Sequence, residues 1–267
     1  MEVMVELLRR SPRVVPDGRE WKFIHFEARR LEVGDEIVGD SDANETALIV
    51  LGGSVCIETP SGRYDISGRR DVWERVPPSV LLLPPSCDYR VLAESAAEVI
   101  IAGAEATSRE EGAPRLIGPE SILVEKRGEG QTLRYVHHLL PPSAEAQRLI
   151  LVEVYTPPGN WSSFPPHKHD TDDPPRESYL EEIYYYRIDP PTGFALQRVY
   201  TAEEELDETI AACDGDLVLV PRGYHVVANL PGHECYYLNV MAGVGRAWSF
   251  SLDPAYASLM NWSKPEA

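Results

Sequence analysis

The sequence has no apolar run that approaches the roughly 20 residues needed to span a bilayer, and no positively charged and then apolar leader opens it. We therefore expect a cytoplasmic protein without a membrane partner. Cysteine is also scarce, and the four cysteines are far apart with no CxxC pair: Cys56, Cys87, Cys213 and Cys235. This spacing predicts free thiols in a reducing compartment.

Positive charge is in short supply. The chain has 25 Lys plus Arg against 43 Asp plus Glu, for a formal net charge of −18. Most of the surface would repel a polyphosphate backbone, so nucleic acid is excluded as an expected partner. An anionic small molecule would have to be met by a local cluster of arginines, because the overall field opposes its approach.

Helical periodicity is nearly absent. Short runs with strand patterning, such as 21–27, 46–51 and 149–155, are separated by many of the 19 glycines and 23 prolines. Helix is expected only in short pieces, around Ala202–Glu208 and near Tyr256–Met260. The sequence therefore predicts an all-β protein.

The polar segment Ala106–Pro114 is the best candidate for a linker. Each half then contains roughly the strands of one double-sheet jelly-roll barrel, which predicts an N-terminal barrel over 1–115 and a C-terminal barrel over 116–267. No histidine occurs between Leu31 and Ala102. The first barrel is therefore expected to lack metal ligands.

Four residues of the second half have the chemistry of a metal site. Side chains alternate along a strand, so His167 and His169, two apart, face the same side and can hold one ion. Glu182 and His225 can complete the set. Neutral imidazoles and a carboxylate are typical ligands of a divalent metal. Zinc is the expected ion, with manganese and iron as alternatives.

Two glutamates compete for the carboxylate position. Neighbours on a strand point to opposite sides, so Glu181 and Glu182 cannot both face the barrel interior. One phase points Glu182, Tyr184 and Tyr186 inward, and the other buries Ile183 beside Glu181. Hydrophobicity alone leaves both phases open.

These motifs resemble those of known proteins. Gly215, Pro221-Arg-Gly-Tyr-His225 and Asn229 resemble the second conserved box of the cupins, and His167, His169 and Glu182 resemble the first, with twelve residues inserted between His169 and Glu182. The phrases PPHKHD, ESYLEE, GFALQRVYT, DLVLVPRGYH and YYLNVMAG, with a thinner match at RRDVWERVPPSVLLLPP, resemble the 5-deoxy-glucuronate isomerases of bacterial inositol catabolism.

The resemblance implies a bicupin, two tandem double-stranded β-helix barrels, and a metal-dependent aldose–ketose isomerase of carbohydrate metabolism. It implies conversion of 5-deoxy-D-glucuronate to 5-dehydro-2-deoxy-D-gluconate. The cupin pattern also selects Glu182 as the ligand, because a β-branched residue and then a tyrosine follow it. Tyr184 is then the candidate for catalytic proton transfer, and Tyr186, Arg198 and Arg222 are candidates for binding the small sugar acid.

Three other functions stay open. The related 4-deoxy-L-threo-5-hexosulose-uronate ketol-isomerase of pectin breakdown would have a similar site, although the insertion after His169 favours the inositol-pathway enzyme. A cupin metal oxygenase would also use three histidines and a glutamate, but it would consume oxygen. A sugar-binding cupin would bind without turnover. Assembly into a homo-oligomer is left open.

Overall fold

The computed structural model describes residues 6–109 and 112–263, which are almost entirely β-structure. Within this part of the chain there is no α-helix, and the helical turns are four 3-10 helices at Val72–Glu74, Pro119–Ser121, Gly130–Thr132 and Ala257–Ser263. The described helices include none long and apolar enough to cross a membrane. The predicted all-β class is confirmed.

The strands that lie before residue 118 are short and antiparallel. They are β1 (Leu8–Arg9), β2 (Arg13–Val14), β3 (Ile24–Leu31), β4 (Glu36–Asp40), β5 (Asn44–Gly52), β6 (Ser54–Thr59), β7 (Gly62–Ser67), β8 (Ser79–Leu83), β9 (Asp88–Ala93), β10 (Ala97–Glu105) and β11 (Arg115–Ile117).

The strands of the second half follow the same pattern. They are β12 (Leu123–Arg127), β13 (Arg134–Leu140), β14 (Ile150–Thr156), β15 (Trp161–Lys168), β16 (Leu180–Asp189), β17 (Phe194–Tyr200), β18 (Asp207–Cys213), β19 (Leu217–Val220), β20 (Tyr224–Asn229), β21 (Glu234–Gly243) and β22 (Ser251–Leu252).

Each half is a pair of antiparallel sheets. In the first half a six-stranded sheet, β11-β8-β5-β10-β3-β2, faces a four-stranded one, β4-β9-β6-β7. In the second half a seven-stranded sheet, β1-β19-β16-β21-β14-β13-β12, faces a five-stranded one, β18-β17-β20-β15-β22. This tandem arrangement is compatible with two jelly rolls, as predicted.

The seven-stranded sheet is covered on both faces, which explains why β16 is buried continuously from Leu180 to Tyr186. Its inner face carries Tyr184 and Tyr186 into the second half's own core. Its outer face packs Ile183 and Tyr185 against the six-stranded sheet of the first half, where the ring of Tyr185 lies 5.6 Å from that of Phe26. Because both faces are covered, residues 183–186 of β16 are all apolar or aromatic and do not alternate between polar and apolar.

Buried carboxylates tie the halves together through backbone amides. Glu181 accepts hydrogen bonds from the amides of Lys22 and Phe23 at 2.7 and 2.9 Å. Glu45 accepts three from residues 147–149, at 2.5 to 3.0 Å. Each contact crosses between the halves, and each gives backbone amides of one half an acceptor in the other.

Glu153 forms an ion pair across the same interface. Arg69 of the first half reaches it with two nitrogens, at 2.9 and 2.7 Å, and both side chains are fully buried. His137 and the hydroxyl of Tyr236 also contact this carboxylate, at 2.7 and 2.9 Å. Arg69 is the first residue of the RRDVWERVPP motif. This residue of the motif therefore stabilises the interface between the two halves.

Two strands cross the division predicted at 115/116. β11 pairs with β8 in the first half, although most of it lies after Arg115. β1 pairs with β19 in the second half, with Leu8 opposite Val218. The two ranges remain a prediction, and these strands show that the halves exchange segments.

The sequence-based prediction of a helix at Ala202–Glu208 is wrong. Residues 202–206 form turns, closed by a hydrogen bond from the amide of Thr201 to the carbonyl of Leu206, and Asp207 begins β18 opposite Tyr200. Pairing with β17 decides the structure here, over the helix propensity of the glutamates. The short helix expected near Tyr256–Met260 is present as a 3-10 helix that begins at Ala257.

Candidate metal centre and active site

Three strands of the second half bring His167, His169, Glu182 and His225 together. His167 lies in β15 directly opposite His225 of β20, and His169 follows the end of β15. Glu182 lies near the start of β16 in the facing sheet, with its side chain on the inner face. The site is therefore built across the two sheets of one barrel, from backbone that both sheets hold in place.

The ligand atoms converge closely. One ring nitrogen from each histidine lies within 4.8 Å of the other two. The Oε2 atom of Glu182 lies 3.0 Å from Nε2 of His169 and 3.1 Å from Nε2 of His225. Among the residues that the structure describes, this is the only group of three or more such side chains close enough to share an ion.

Backbone carbonyls fix the orientation of all three imidazoles. The Nδ1–H groups of His167, His169 and His225 donate to the carbonyls of Pro165, Leu180 and Gly223, at 3.0, 2.8 and 3.2 Å. Because a carbonyl can only accept, each Nδ1 carries a proton, and each Nε2 is directed toward the centre of the site.

The charges within the site are strongly coupled. Burial, helped by the two neighbouring imidazoles, lowers the pKa of His167 to about 3, so its ring is neutral at pH 7. Burial opposes the charged form of Glu182, but a hydrogen bond from His169 and the close approach of the His225 ring outweigh it and hold the pKa of Glu182 well below its usual range. The same contact with Glu182 overcomes burial at His169 and raises its pKa.

The inserted loop anchors the two ends of the site. Glu177 accepts hydrogen bonds from the amides of Asp170 and Thr171 at 2.9 Å each, and from Lys168 at 2.8 Å. Asp170 in turn accepts the amide of Gly223 at 2.8 Å. Gly223 has a φ of +92°, and a Cβ there would lie 2.6 Å from the carbonyl of Tyr200. The loop thus supports the turn that presents His225.

The four side chains fit a divalent cation. Three neutral nitrogen donors and one carboxylate form a ligand set suited to zinc, iron or manganese. Nε2 of His225 is buried and has no partner of good hydrogen-bond geometry. A buried ring nitrogen left in that condition is costly unless it has a ligand to bind.

A cavity of about 280 Å³ opens beside these residues, with His167 and Glu182 in its wall. The hydroxyl of Tyr184 also lines it, 2.8 Å from the hydroxyl of Ser163, which lies 3.4 Å from that of Tyr237. Ser163 reaches this position because β15 breaks its register with β20 between Ser162 and His167. Three hydroxyl groups therefore stand in a chain along one side of the cavity.

A family model described as the KduI/IolB family matches residues 9–259 of this chain. The chain belongs to the KduI/IolB family. Curated relatives named 5-deoxy-glucuronate isomerase include one from Geobacillus kaustophilus HTA426, 45% identical over 249 residues that make up 93% of this chain and 90% of the relative. One from Bacillus subtilis 168 is 37% identical over 245 residues, 91% of this chain and 90% of the relative. The resemblance noted in the sequence is confirmed, and with it the prediction of an isomerase.

Solved structures agree with this assignment. The crystal structure of an IolB-like protein from Salmonella typhimurium LT2 is 39% identical, with a TM-score of 0.91 over 96% of this chain and 100% of the other. An oxalate decarboxylase from Lactobacillus farciminis, in a formate complex, is 11% identical with a TM-score of 0.66 over 97% and 92%. That more distant likeness shows the fold, and it confirms the predicted cupin architecture.

Three residues predicted from the sequence to bind substrate do not reach the cavity of this KduI/IolB protein. Tyr186 is fully buried and donates its hydroxyl to Gln197 at 2.9 Å. Arg198 pairs with Asp207 through two bonds of 2.8 Å on the outer face of the five-stranded sheet. Arg222 lies at the surface, 3.6 Å from Glu205. Tyr186 therefore lies in the core beside Tyr184, and both arginine side chains lie outside the cavity wall.

The cavity wall contains other polar groups that were not among the site residues predicted from the sequence. They include Ser163, Tyr237, Asn239, Trp248, and the pair Arg127 and Arg134. The alternation of β13 held one usable signal, because Arg134 shares a strand face with the buried Val136. That face lines the barrel interior.

Proposed function

We propose that this chain is a metal-dependent aldose–ketose isomerase that converts 5-deoxy-D-glucuronate to 5-dehydro-2-deoxy-D-gluconate in myo-inositol catabolism. The curated relatives that cover about nine-tenths of the chain carry the name 5-deoxy-glucuronate isomerase. The observation that carries the proposal is the cluster of three imidazoles with the Glu182 carboxylate against two of them, beside a small cavity that His167 and Glu182 line, in a chain of this family.

His167, His169, Glu182 and His225 are the proposed ligands, and zinc is the proposed ion. Because carbonyls hold the three Nδ1–H groups, each Nε2 faces the site, and release of the proton that His169 shares with Glu182 would leave three Nε2 lone pairs for the ion. A divalent ion held there would supply a Lewis acid that polarises the carbonyl and hydroxyl oxygens of the substrate. We place the reaction in the cytoplasm, and the four free cysteines support a reducing compartment.

The chemistry requires several hydrogen transfers. Moving the carbonyl from C1 to C2 takes one hydrogen from C2, delivers one to C1, and passes the proton of the C2 hydroxyl to the C1 oxygen. The residues that act must therefore hold or donate protons close to two adjacent carbons.

Tyr184 is the proposed proton donor to a substrate oxygen. Burial, together with the charge of Glu182, raises the pKa of Tyr184 well above its usual value, so the phenol keeps its proton at neutral pH. Its hydroxyl is within 2.8 Å of the Ser163 hydroxyl, which can return a proton to it. Tyr184 is therefore suited to act as an acid and a hydrogen-bond donor.

The test is incubation of the zinc-loaded protein with 5-deoxy-glucuronate in deuterated water, followed by proton NMR. The expected result is loss of the aldehyde signal and appearance of the ketose, with solvent deuterium at the former C1 when a proton is transferred. Unlabelled product would indicate a hydride shift and would remove Tyr184 from the transfer between carbons.

Two controls separate the other enzymes. Turnover of the pectin-derived hexosulose-uronate in place of 5-deoxy-glucuronate would assign the chain to the related ketol-isomerase. Oxygen uptake during turnover would contradict isomerisation altogether, because an isomerase leaves the oxidation state of its substrate unchanged. Tight binding of the acid with no chemical change would contradict the proposal in favour of a binding protein.

A further inference from the structure

Two arginines face each other across neighbouring strands in the cavity wall. Arg127 of β12 is the direct partner of Arg134 in β13, and both line the cavity that contains His167 and Glu182. Like charges placed directly opposite on a sheet repel one another. Such a pair is costly to keep in a buried place unless negative groups compensate both members.

Only one of the two arginines has a carboxylate partner. Glu125 accepts from Arg127 through both of its oxygens, at 3.1 and 2.6 Å. Arg134 donates to two backbone carbonyls, those of Thr132 at 2.9 Å and Phe164 at 3.2 Å. Within residues 6–109 and 112–263, no carboxylate lies at ion-pair distance from Arg134.

Arg134 is nevertheless deeply buried, with 5% of its surface exposed. Burial lowers its pKa to about 10, which still leaves the guanidinium charged at neutral pH. A buried cation that has only neutral carbonyl partners is unfavourable for folding. Positions of this kind persist where a bound anion supplies the missing charge.

A second donor lines the same cavity. The indole Nε1 of Trp248 is buried and has no hydrogen-bond partner in the described part of the chain. A buried N–H without an acceptor is rare and unfavourable. The cavity therefore presents a positive charge and an unused neutral donor, both of which an anionic ligand would satisfy.

We propose that Arg134 binds the carboxylate of the sugar acid and makes the site selective for acids over neutral sugars. The inference rests on the proposed function, which supplies a substrate with a carboxylate at the end opposite to the reacting carbons. It assigns to Arg134 the role that the sequence suggested for Arg198 or Arg222. A guanidinium is suited to this role because its planar fork can donate two parallel hydrogen bonds to one carboxylate.

A purely structural role is the alternative to be tested. By donating to the carbonyls of Thr132 and Phe164, Arg134 connects the turn before β13 to β15. If that were its whole purpose, its removal would weaken the fold and would affect all substrates alike. The matched control is Arg246, which also donates only to backbone carbonyls, those of residues 141, 142, 144 and 149, and does not line the cavity.

The experiment compares Arg134→Met, Arg134→Lys and Arg246→Met with the parent, all zinc-loaded. Each is given 5-deoxy-glucuronate and 5-deoxyglucose, in which a neutral hydroxymethyl group replaces the carboxylate. We expect Arg134→Met to lower kcat/KM for the acid about 100-fold, the typical effect of losing a charged hydrogen-bonding partner, and to change the neutral sugar less than about 3-fold. Arg134→Lys should fall between, and Arg246→Met should keep the parent's preference for the acid.

Binding without turnover provides a separate readout. The probe is the acid whose C1 aldehyde has been reduced to an alcohol, titrated calorimetrically. We expect Arg134→Met to weaken its binding by a similar factor and to keep the parent's zinc content and melting temperature, or to exceed that temperature. Equal losses for acid and neutral sugar, or a fall in melting temperature like that of Arg246→Met, would overturn the assignment. Arg134-dependent binding of the reduced acid by a protein that does not turn over 5-deoxy-glucuronate would uphold this subsite and reject the proposed function.

Discussion

Glu181 and Glu182 are adjacent and chemically identical, but their substitution should have different effects. We expect a change at Glu182 to weaken metal binding and a change at Glu181 to weaken the fold. Glu182 points into the barrel, where its carboxylate lies 3.0 and 3.1 Å from two imidazole nitrogens. Glu181 points out of it and accepts two backbone amides of the first half at 2.7 and 2.9 Å. Replacing either with glutamine exchanges a carboxyl group for an amide and preserves the shape of the side chain.

These contacts set the expected loss of zinc affinity in one variant and the expected loss of stability in the other. Glu182→Gln removes a charged ligand itself, so zinc affinity should fall by more than about 100-fold, the upper limit seen when only a group that supports a ligand is lost. In Glu181→Gln an amide nitrogen must face one of the two backbone N–H groups. A buried donor without an acceptor costs about 1–3 kcal/mol, which corresponds to a melting temperature roughly 2–12 °C lower.

The assay is zinc content after dialysis against a graded series of chelator concentrations, together with melting temperature and kcat. Glu182→Gln should remain folded, lose its zinc and lose nearly all activity. Glu181→Gln should bind zinc and turn over substrate within a few-fold of the parent while melting earlier. The reversed result, with metal lost from the Glu181 variant and retained in the Glu182 variant, would refute the strand phase and remove Tyr184 from the substrate side.

The other predictions address stoichiometry, selectivity and the joint between the halves. Elemental analysis after dialysis should give one zinc per chain, since the described first half has no comparable cluster; two retained equivalents would contradict this. Glucuronate, which carries an extra hydroxyl at C5, should react much more slowly than 5-deoxy-glucuronate; equal rates in a direct kinetic comparison would count against the assigned substrate. Arg69→Met should cost about 3–5 kcal/mol in urea unfolding, because it leaves the buried Glu153 without its cation. Adding Glu153→Gln should recover part of that loss, and strictly additive losses would show that the two side chains are not coupled.

The arrangement around the candidate metal could be anticipated because strand periodicity is local. Two histidines two positions apart must share a face, and the structure brings both of them to His225. The phase of β16 was harder to predict. Ile183 is buried in either phase because the other half of the protein covers the outer face of this sheet. Apolar burial therefore could not distinguish Glu181 from Glu182, and the order of residues after Glu182 supplied the choice.

The proposed carboxylate subsite at Arg134 could not be predicted from the sequence motifs, and the reason is physical. Arg134 lies on β13, thirty residues before Phe164, and becomes part of the site only because β13 joins the edge of the seven-stranded sheet through β14. Sequence proximity pointed instead to Arg198 and Arg222, whose strand and turn present them outward. Alternation along a strand shows which side chains share a face of the sheet. Which of the two faces lines the cavity is known only once the elements packed against each face are known.

Strand β1 is one of the last strands that can pair, although it is made early. Leu8 pairs with Val218, which lies about 210 residues later in the chain. Because ribosomes add roughly 5–20 residues per second, β1 has no partner strand for roughly 10–40 s during synthesis. Throughout that interval Leu7, which ends in the core of the second half, is an apolar side chain in water. Once β19 has been made, its edge stays open until β1 pairs with it, and an open edge is a place for another chain to pair. Bulky fusions at the N-terminus should therefore lower the yield of folded protein more than the same fusions at the C-terminus.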